Sequence, residues 1–363
     1  MTAVPPGRRP TTGFAGLAPR PPAKGVVIQT AFPGDVILTT PLIRRAAERL
    51  KTPVDVVVVP AAVSVLANNP HIRDLIVFDK KGKDRGVRGM WRMIQLLRAR
   101  RYEVSYHAQA STRSALLAFL ARIPRRIGLR DAPGAFLYTH AVAARGEPHQ
   151  VERLLHLADG APDRREPEVF PGPTEKAAVK ALLEEAGITG EFVVLAPGSQ
   201  WATKRWPYFA ELARALGAEI PIAIVGGPGD RADARAIRNA LGNAAPLADG
   251  IGRLSLLGSA ELIRRAQLLV SNDSAPVHLA SAMDTPTVEI YGPTAPIFGF
   301  AARAPWSRVV ETGPLPCRPC DKHGPIVCPL VHHKCMRDIT IGRVLAEVRT
   351  VLQIVRTTGG MGP

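Results

Sequence analysis

The 363-residue chain is long enough for two domains of ordinary size, each with its own core, and carries a formal net charge of +16 with 5% aromatic residues. No apolar run approaches the roughly 20 residues of a membrane-spanning helix, and the Arg- and Pro-rich start lacks the apolar segment of a secretory signal. Such a charge favours anionic partners (nucleic acid, an acidic membrane surface or a phosphorylated substrate), and the expected location is the cytosol, with loose attachment to a membrane face as a further option.

Residues 1–23 read as a disordered basic tail, with Arg8, Arg9 and Arg20 and no acid. A strand is expected over 25–30, a helix over 36–50, strands over 54–59 and 75–78, a helix over 87–100 and a strand at Val104–His107. This alternation predicts a parallel sheet with helices on both faces. Between residues 80 and 130 stand 14 basic residues against Asp84 and Glu103. The Pro- and charge-rich stretch 160–173 looks like a linker.

A second alternating series follows: a helix over 174–186, a strand over 192–196, a helix over 208–216, a strand over 221–225, and helices over Arg231–Leu241 and 256–266. A short strand at Leu268, Leu269 and Val270, a helix from near Ala275 and a strand at Thr287–Tyr291 complete it. A last helix, over 341–355, is expected to pack back across the pair. The division is therefore a tail (1–23), a first α/β domain (24–172), a second (173–336) with a Cys-rich loop over 313–336, and a C-terminal helical segment (337–363).

The halves echo each other, because each opens with an aliphatic strand running into a Pro-Gly loop: VVIQTAFPGD in the first, VVLAPGSQW in the second. Ligands of doubly wound sheets sit beyond the carboxyl ends of the strands, so two such sheets facing one another enclose a cleft. The first loop offers one carboxylate, Asp35, after Gly34, which permits a tight turn and close approach of a ligand. Asp35 equally suits the N-cap of the next helix. The loop from Pro197 to Pro207 combines Ser199, Thr203, Lys204 and Arg205 with Trp201 and Trp206, a set able to bind a diphosphate.

Gly226-Gly227-Pro228-Gly229-Asp230 is a glycine-rich turn but not GxGxxG, and without a Walker A loop ATP hydrolysis is unsupported. In LLVSNDSAPVHLASAMDTPTVEIYGPTAP, Asp273 and Ser274 are good N-caps and Pro276 fits the first helical turn. The N–H groups at that helix start make a seat for phosphate, with His278 in reach of the same anion. Cys317, Cys320, Cys328 and Cys335, with His323, His332 and His333 among them, can hold zinc or an iron–sulfur cluster. Reduced thiols packing a compact loop are the default in a reducing compartment.

Together, GDVILTTP, PGSQWATKRWP, SNDSAPVHLASA and YGPT resemble glycosyltransferase family nine, the heptosyltransferases of lipopolysaccharide core assembly, over roughly residues 25–355. The stretch from Phe298 through the four cysteines to Met336 is similar to the heptosyltransferase II branch. The resemblance implies a GT-B fold, two Rossmann-like domains facing across a cleft, with acceptor on the first and nucleotide sugar on the second. It implies inverting, metal-independent transfer from ADP-heptose to a phosphorylated lipid A-borne acceptor at the inner membrane surface, with no cofactor. Asp35 would be the general base and Lys204 would steady the leaving diphosphate. Asp273, Ser274, Ala275 and His278 would line the donor site. Ser199 and Thr203 of the 197–207 loop are further donor candidates, and Gly34, Arg113 and Arg130 are the acceptor candidates in the basic first half. Ala275 stands where the family often has Gly, and no motif settles the nucleotide contacts, for which Asp230 and Leu257 are the candidates.

An alcohol is far too weak an acid for a carboxyl with a reference pKa near 3.9 to ionise beforehand, so proton removal must accompany C–O bond formation. Two alternatives remain: a GT-B transferase using another sugar nucleotide, and a basic adaptor that binds polyanions through residues 80–130. A nucleic-acid module is expected to interleave aromatics with its basic residues for stacking. In that run Trp91, Tyr102, Tyr106 and Phe119 are read as core-facing, which disfavours nucleic acid.

Overall fold

The computed structural model describes residues 24–144, 146, 148–159 and 166–358. The expected tail and the first part of the expected linker lie outside the described residues. Two six-stranded parallel sheets carry the chain. The first contains β1 (Gly25–Ile28), β2 (Val54–Val58), β3 (Ile72–Val77), β4 (Val104–His107), β5 (Arg125–Leu129) and β6 (His140–Val142), in the order β3-β2-β1-β4-β5-β6. The second contains β7 (Val193–Ala196), β8 (Ile222–Ile224), β9 (Leu247–Asp249), β10 (Leu268–Asn272), β11 (Thr287–Tyr291) and β12 (Arg308–Glu311). Its order, β12-β11-β10-β7-β8-β9, is the same winding repeated. Each is a doubly wound Rossmann sheet whose direction of winding reverses beside its first strand, at β1/β4 and at β7/β10.

Helices α1 (Pro33–Ile37), α2 (Thr40–Leu50), α3 (Gly86–Arg100), α4 (Thr112–Leu120) and α5 (Gln150–Leu155) accompany the first sheet. Those of the second half are α6 (Pro173–Glu185), α7 (Phe209–Gly217), α8 (Arg231–Leu241), α9 (Leu256–Arg265), α10 (Ala275–Ala282), α11 (Lys334–Arg337) and α12 (Ile341–Thr358). β1 and β7 are buried along their whole length, which is why they read as plain aliphatic runs. One hydrophobic core joins the facing sides of the halves: Val27 and Val56 of the first share a cluster with Val194 and Leu279 of the second.

The helix expected over 36–50 is two helices. Pro41 has no N–H to donate to the carbonyl of Ile37, so the helical ladder is broken there. Thr39 Oγ1 donates to Asp35 O at 2.7 Å and Thr40 Oγ1 to Ile37 O at 2.7 Å. The helix over 341–355 does not pack back on the first sheet; α12 lies against β10, β11, β12 and α7. Val344, Val348, Val351, Leu352 and Val355 form the stripe that seats it there. Residue 173, placed in a linker, instead opens α6. Strands β5, β6, β9 and β12 and helices α4 and α5 escape the sequence reading. Trp91 and Phe119 are not core-facing: they stand 57% and 45% exposed, whereas Tyr102 and Tyr106 are buried.

Candidate active site

The carboxyl ends of the two sheets enclose a cleft of about 550 Å³. Its first wall is the start of α1. Phe32 takes the N-cap position and Pro33 the first turn, so Asp35 is third in the helix and not its cap. Burial raises the Asp35 carboxyl above the usual carboxylate range, and the neighbouring His323 and Lys322 side chains draw it partly back. A raised pKa makes this carboxylate a better proton acceptor.

The second wall is the start of α10. Ser274 holds the N-cap position, but its hydroxyl makes no cap bond to the helix; it lies 3.3 Å from Asn272 O and 3.4 Å from Gly198 O. Pro276 has no N–H and Val277 N donates to Ser274 O at 3.1 Å, so Ala275 offers the first N–H of the helix. The positive end of α10 therefore opens on the cleft, a seat suited to phosphate. The two walls touch at Gly34, where a Cβ would fall 3.0 Å from His278 Cδ2. Burial lowers His278 to about 4, so the ring is neutral at pH 7 as it packs against Gly34. Its Nδ1 is buried without a partner among the described residues.

Lys204 Nζ pairs with Asp273 Oδ2 at 2.6 Å, and the same oxygen accepts from Thr294 Oγ1 at 2.7 Å. Thr294 ends the YGPT turn, whose role is thus to hold Asp273 and, through it, the lysine. Asn272 anchors the 197–207 loop by accepting from Trp206 N at 3.0 Å and donating to Pro197 O at 2.8 Å. Of the two tryptophans in that loop, Trp201 lines the cleft, whereas Trp206 is core and donates Nε1 to Ile339 O. Arg205 is held by Asp230 (2.8 Å) and Asp233 (3.1 Å). Asp230 also accepts from Gly227 N at 2.9 Å, which makes it a brace of the loop at the cleft wall.

Asp35, Gly34, Ser199, Lys204, Asp230, Asp273, Ser274, Ala275 and His278 all line this one cleft. Four expected site residues do not. Leu257 is buried in the core; the same helix shows Leu256 and Ser259 to the cleft. Thr203 turns away, its hydroxyl bonded to Pro325 O. Arg113 lies in a neighbouring groove beside Lys80, and Arg130 is exposed at the end of β5.

The sequence reading missed Lys322 and His323, which reach the cleft from the Cys-rich loop. That loop is tied down by Cys320 N to Pro293 O (2.8 Å), Arg318 to Thr294 O (3.0 Å) and His333 Nε2 to Thr203 O (2.7 Å). Its cysteines are free thiols, Cys317 Sγ lying 4.0 Å from His332 Nε2 and Cys335 buried with its thiol pushed up to about 11. Among the described residues no group of three or more His, Cys, Asp or Glu side chains is assembled for a metal.

The profile of glycosyltransferase family 9 (heptosyltransferase) matches residues 90–326. The lipopolysaccharide heptosyltransferase 1 of Pseudomonas aeruginosa is 30% identical over 92% of this chain and 96% of its own length. The chain belongs to glycosyltransferase family 9. The lipopolysaccharide heptosyltransferase 2 of Salmonella typhimurium is 28% identical over 91% of this chain and 98% of its own. The solved Escherichia coli ADP-heptose lps heptosyltransferase II superposes with a TM-score of 0.73 at 25% identity, over 92% of this chain and 99% of that one. This family 9 protein is therefore a glycosyltransferase with the paired Rossmann sheets of the heptosyltransferases. No described helix is long and apolar enough to cross a membrane.

Proposed function

We propose that this family 9 glycosyltransferase moves a heptosyl residue from ADP-L-glycero-D-manno-heptose to the lipopolysaccharide inner core, adding the second heptose, with inversion at the anomeric carbon. The relatives' names support the heptosyl donor and the lipopolysaccharide acceptor. The likeness to heptosyltransferase II and the Cys-rich segment support the second position. The acceptor belongs to the first half of the chain, including Gly34 and Arg113, and the nucleotide sugar to the second. Arg130 is retained as an acceptor contact because it is exposed at the carboxyl end of β5, the end of the sheet that faces the cleft.

One observation carries the mechanism: Asp35 on the first wall and the open N-terminus of α10 on the second flank the same narrow space. In the proposed step the acceptor hydroxyl attacks the anomeric carbon from the Asp35 side and gives its proton to that carboxylate. The bond from the anomeric carbon to the diphosphate breaks on the opposite side, and ADP leaves with its electron pair. Lys204 and the Ala275 N–H end of α10 meet the growing negative charge, so the reading assigns no catalytic work to a metal ion. Stabilisation of this kind is worth several kcal/mol, and a general base adds about 10²–10⁴-fold in rate.

Asp35→Asn should therefore lower kcat on purified donor and acceptor by about 10²–10⁴-fold with little change in donor affinity. Near-wild-type turnover would sink the mechanism. Turnover that persists in EDTA supports the assignment of the diphosphate charge to Lys204 and α10.

A further inference from the structure

The chemistry of the cleft leaves the outer face of α3 and α4 unused. These helices pack side by side on the first sheet, yet Val87, Trp91, Phe119 and Leu120 are 85%, 57%, 45% and 40% exposed. Val87 and Trp91 are one helical turn apart and share a face. Trp91 and Leu120 border two adjoining grooves, one edged by Arg98, Arg122 and Arg126, the other by Lys80 and Arg85. The acid lining them, Asp84, is buried and paired to Arg92.

An exposed indole and phenyl ring amid aliphatic side chains, rimmed by arginines, is the composition that settles at a lipid–water interface carrying negative headgroups. Single-stranded nucleic acid would stack on open aromatic faces, and one face of the Phe119 ring is already taken by the Arg126 guanidinium, 5.4 Å from its centroid. Lys80, on the edge of the second groove, also ties this face to the cleft side of the sheet: its Nζ donates to Thr30 O at 2.6 Å, just beyond the carboxyl end of β1 and two residues before Phe32 of the cleft wall.

We propose that the α3–α4 face is the surface by which this protein docks on an anionic phospholipid leaflet, with Trp91 and its apolar neighbours entering the headgroup layer and the arginines pairing with lipid phosphates. The inference deepens the reading above, whose acceptor is lipid-borne, by naming the surface that brings the cleft to it.

The test is co-sedimentation of the full chain with vesicles of phosphatidylcholine alone and of phosphatidylcholine with phosphatidylglycerol. It needs neither donor nor acceptor, so its failure is separate from failure of the proposed reaction. The wild type should bind the anionic vesicles selectively. Trp91→Ser with Phe119→Ser, and separately Arg85→Gln with Arg122→Gln, should each weaken that binding by about tenfold or more at low salt. All four side chains are exposed, so melting temperatures should stay near wild type. Equal binding to both vesicle types, wild-type binding by both variants, or displacement from anionic vesicles by single-stranded RNA would overturn the proposal.

Discussion

Asp35 sits in a field shaped by two side chains that the linear order hides. Lys322 and His323 come from the Cys-rich loop and pull the carboxyl down while burial pushes it up. For a base, activity is present above its pKa and lost as pH falls through it. Because the Asp35 carboxyl lies above its usual range, the acid limb of kcat/KM should fall above the pH at which an ordinary aspartate titrates. His323→Ala removes a lowering influence, so that limb should move to higher pH while the activity plateau survives; a pH–rate profile of the variant checks this. A limb that stays in place, or moves down, would show that His323 does not act on Asp35. Asp35 itself was legible, as a lone acid after Gly at the mouth of a strand. His323 was not, because the loop around it announced only its thiols, and contacts such as Cys320 N to Pro293 O turn it toward the cleft.

At the scale of one helix the instructive case is α9. The residue pattern marks the helix and makes Leu257 a nucleotide candidate, but rotation about the helix axis decides which leucine faces the cleft. Each residue advances the side chain by about 100°. Leu257 therefore points to the core, and Leu256 to the cleft. Leu257→Ala should destabilise the fold by roughly 2–5 kcal/mol and leave the donor KM unchanged. Leu256→Ala should do the reverse, raising the donor KM with little loss of stability; chemical denaturation together with initial rates separates the two. The split of 36–50 into α1 and α2 has a similar lesson. Apolar spacing ran straight through Pro41, and the missing helical bond there lets α1 carry Asp35 at its own angle to the cleft.

For the whole molecule, the same strand order in both sheets places the two reversal points opposite each other, and the loops after β1, β7 and β10 meet between them. The proposed diphosphate seat consists of backbone N–H groups and Lys204, which discriminate poorly among bases and sugars. Donor choice consequently rests on the surrounding loops. Thermal-shift measurements with ADP-, UDP- and GDP-sugars should show stabilisation by ADP-heptose, by about 2.7 kcal/mol at a hundredfold excess over Kd. Stabilisation by UDP-sugars alone would move the assignment to another transferase of the same fold.

Alternation of aliphatic strands with amphipathic helices was enough to reveal two parallel sheets, because a strand buried on both faces is predominantly apolar. The caps and prolines around Asp273–Pro276 likewise exposed a helix start suited to phosphate, since those residue types answer to local backbone geometry. Short edge strands such as β6 and β9 left no such signature, for three residues carry too little periodicity. Only the tertiary structure decided that Lys204 leans on Asp273, that His278 is neutral against Gly34, that α12 stays with the second sheet, and that Trp91 and Phe119 face outward. Each of these depends on which groups are brought together from distant parts of the chain and how far water is shut out. Neither quantity is written in residue spacing.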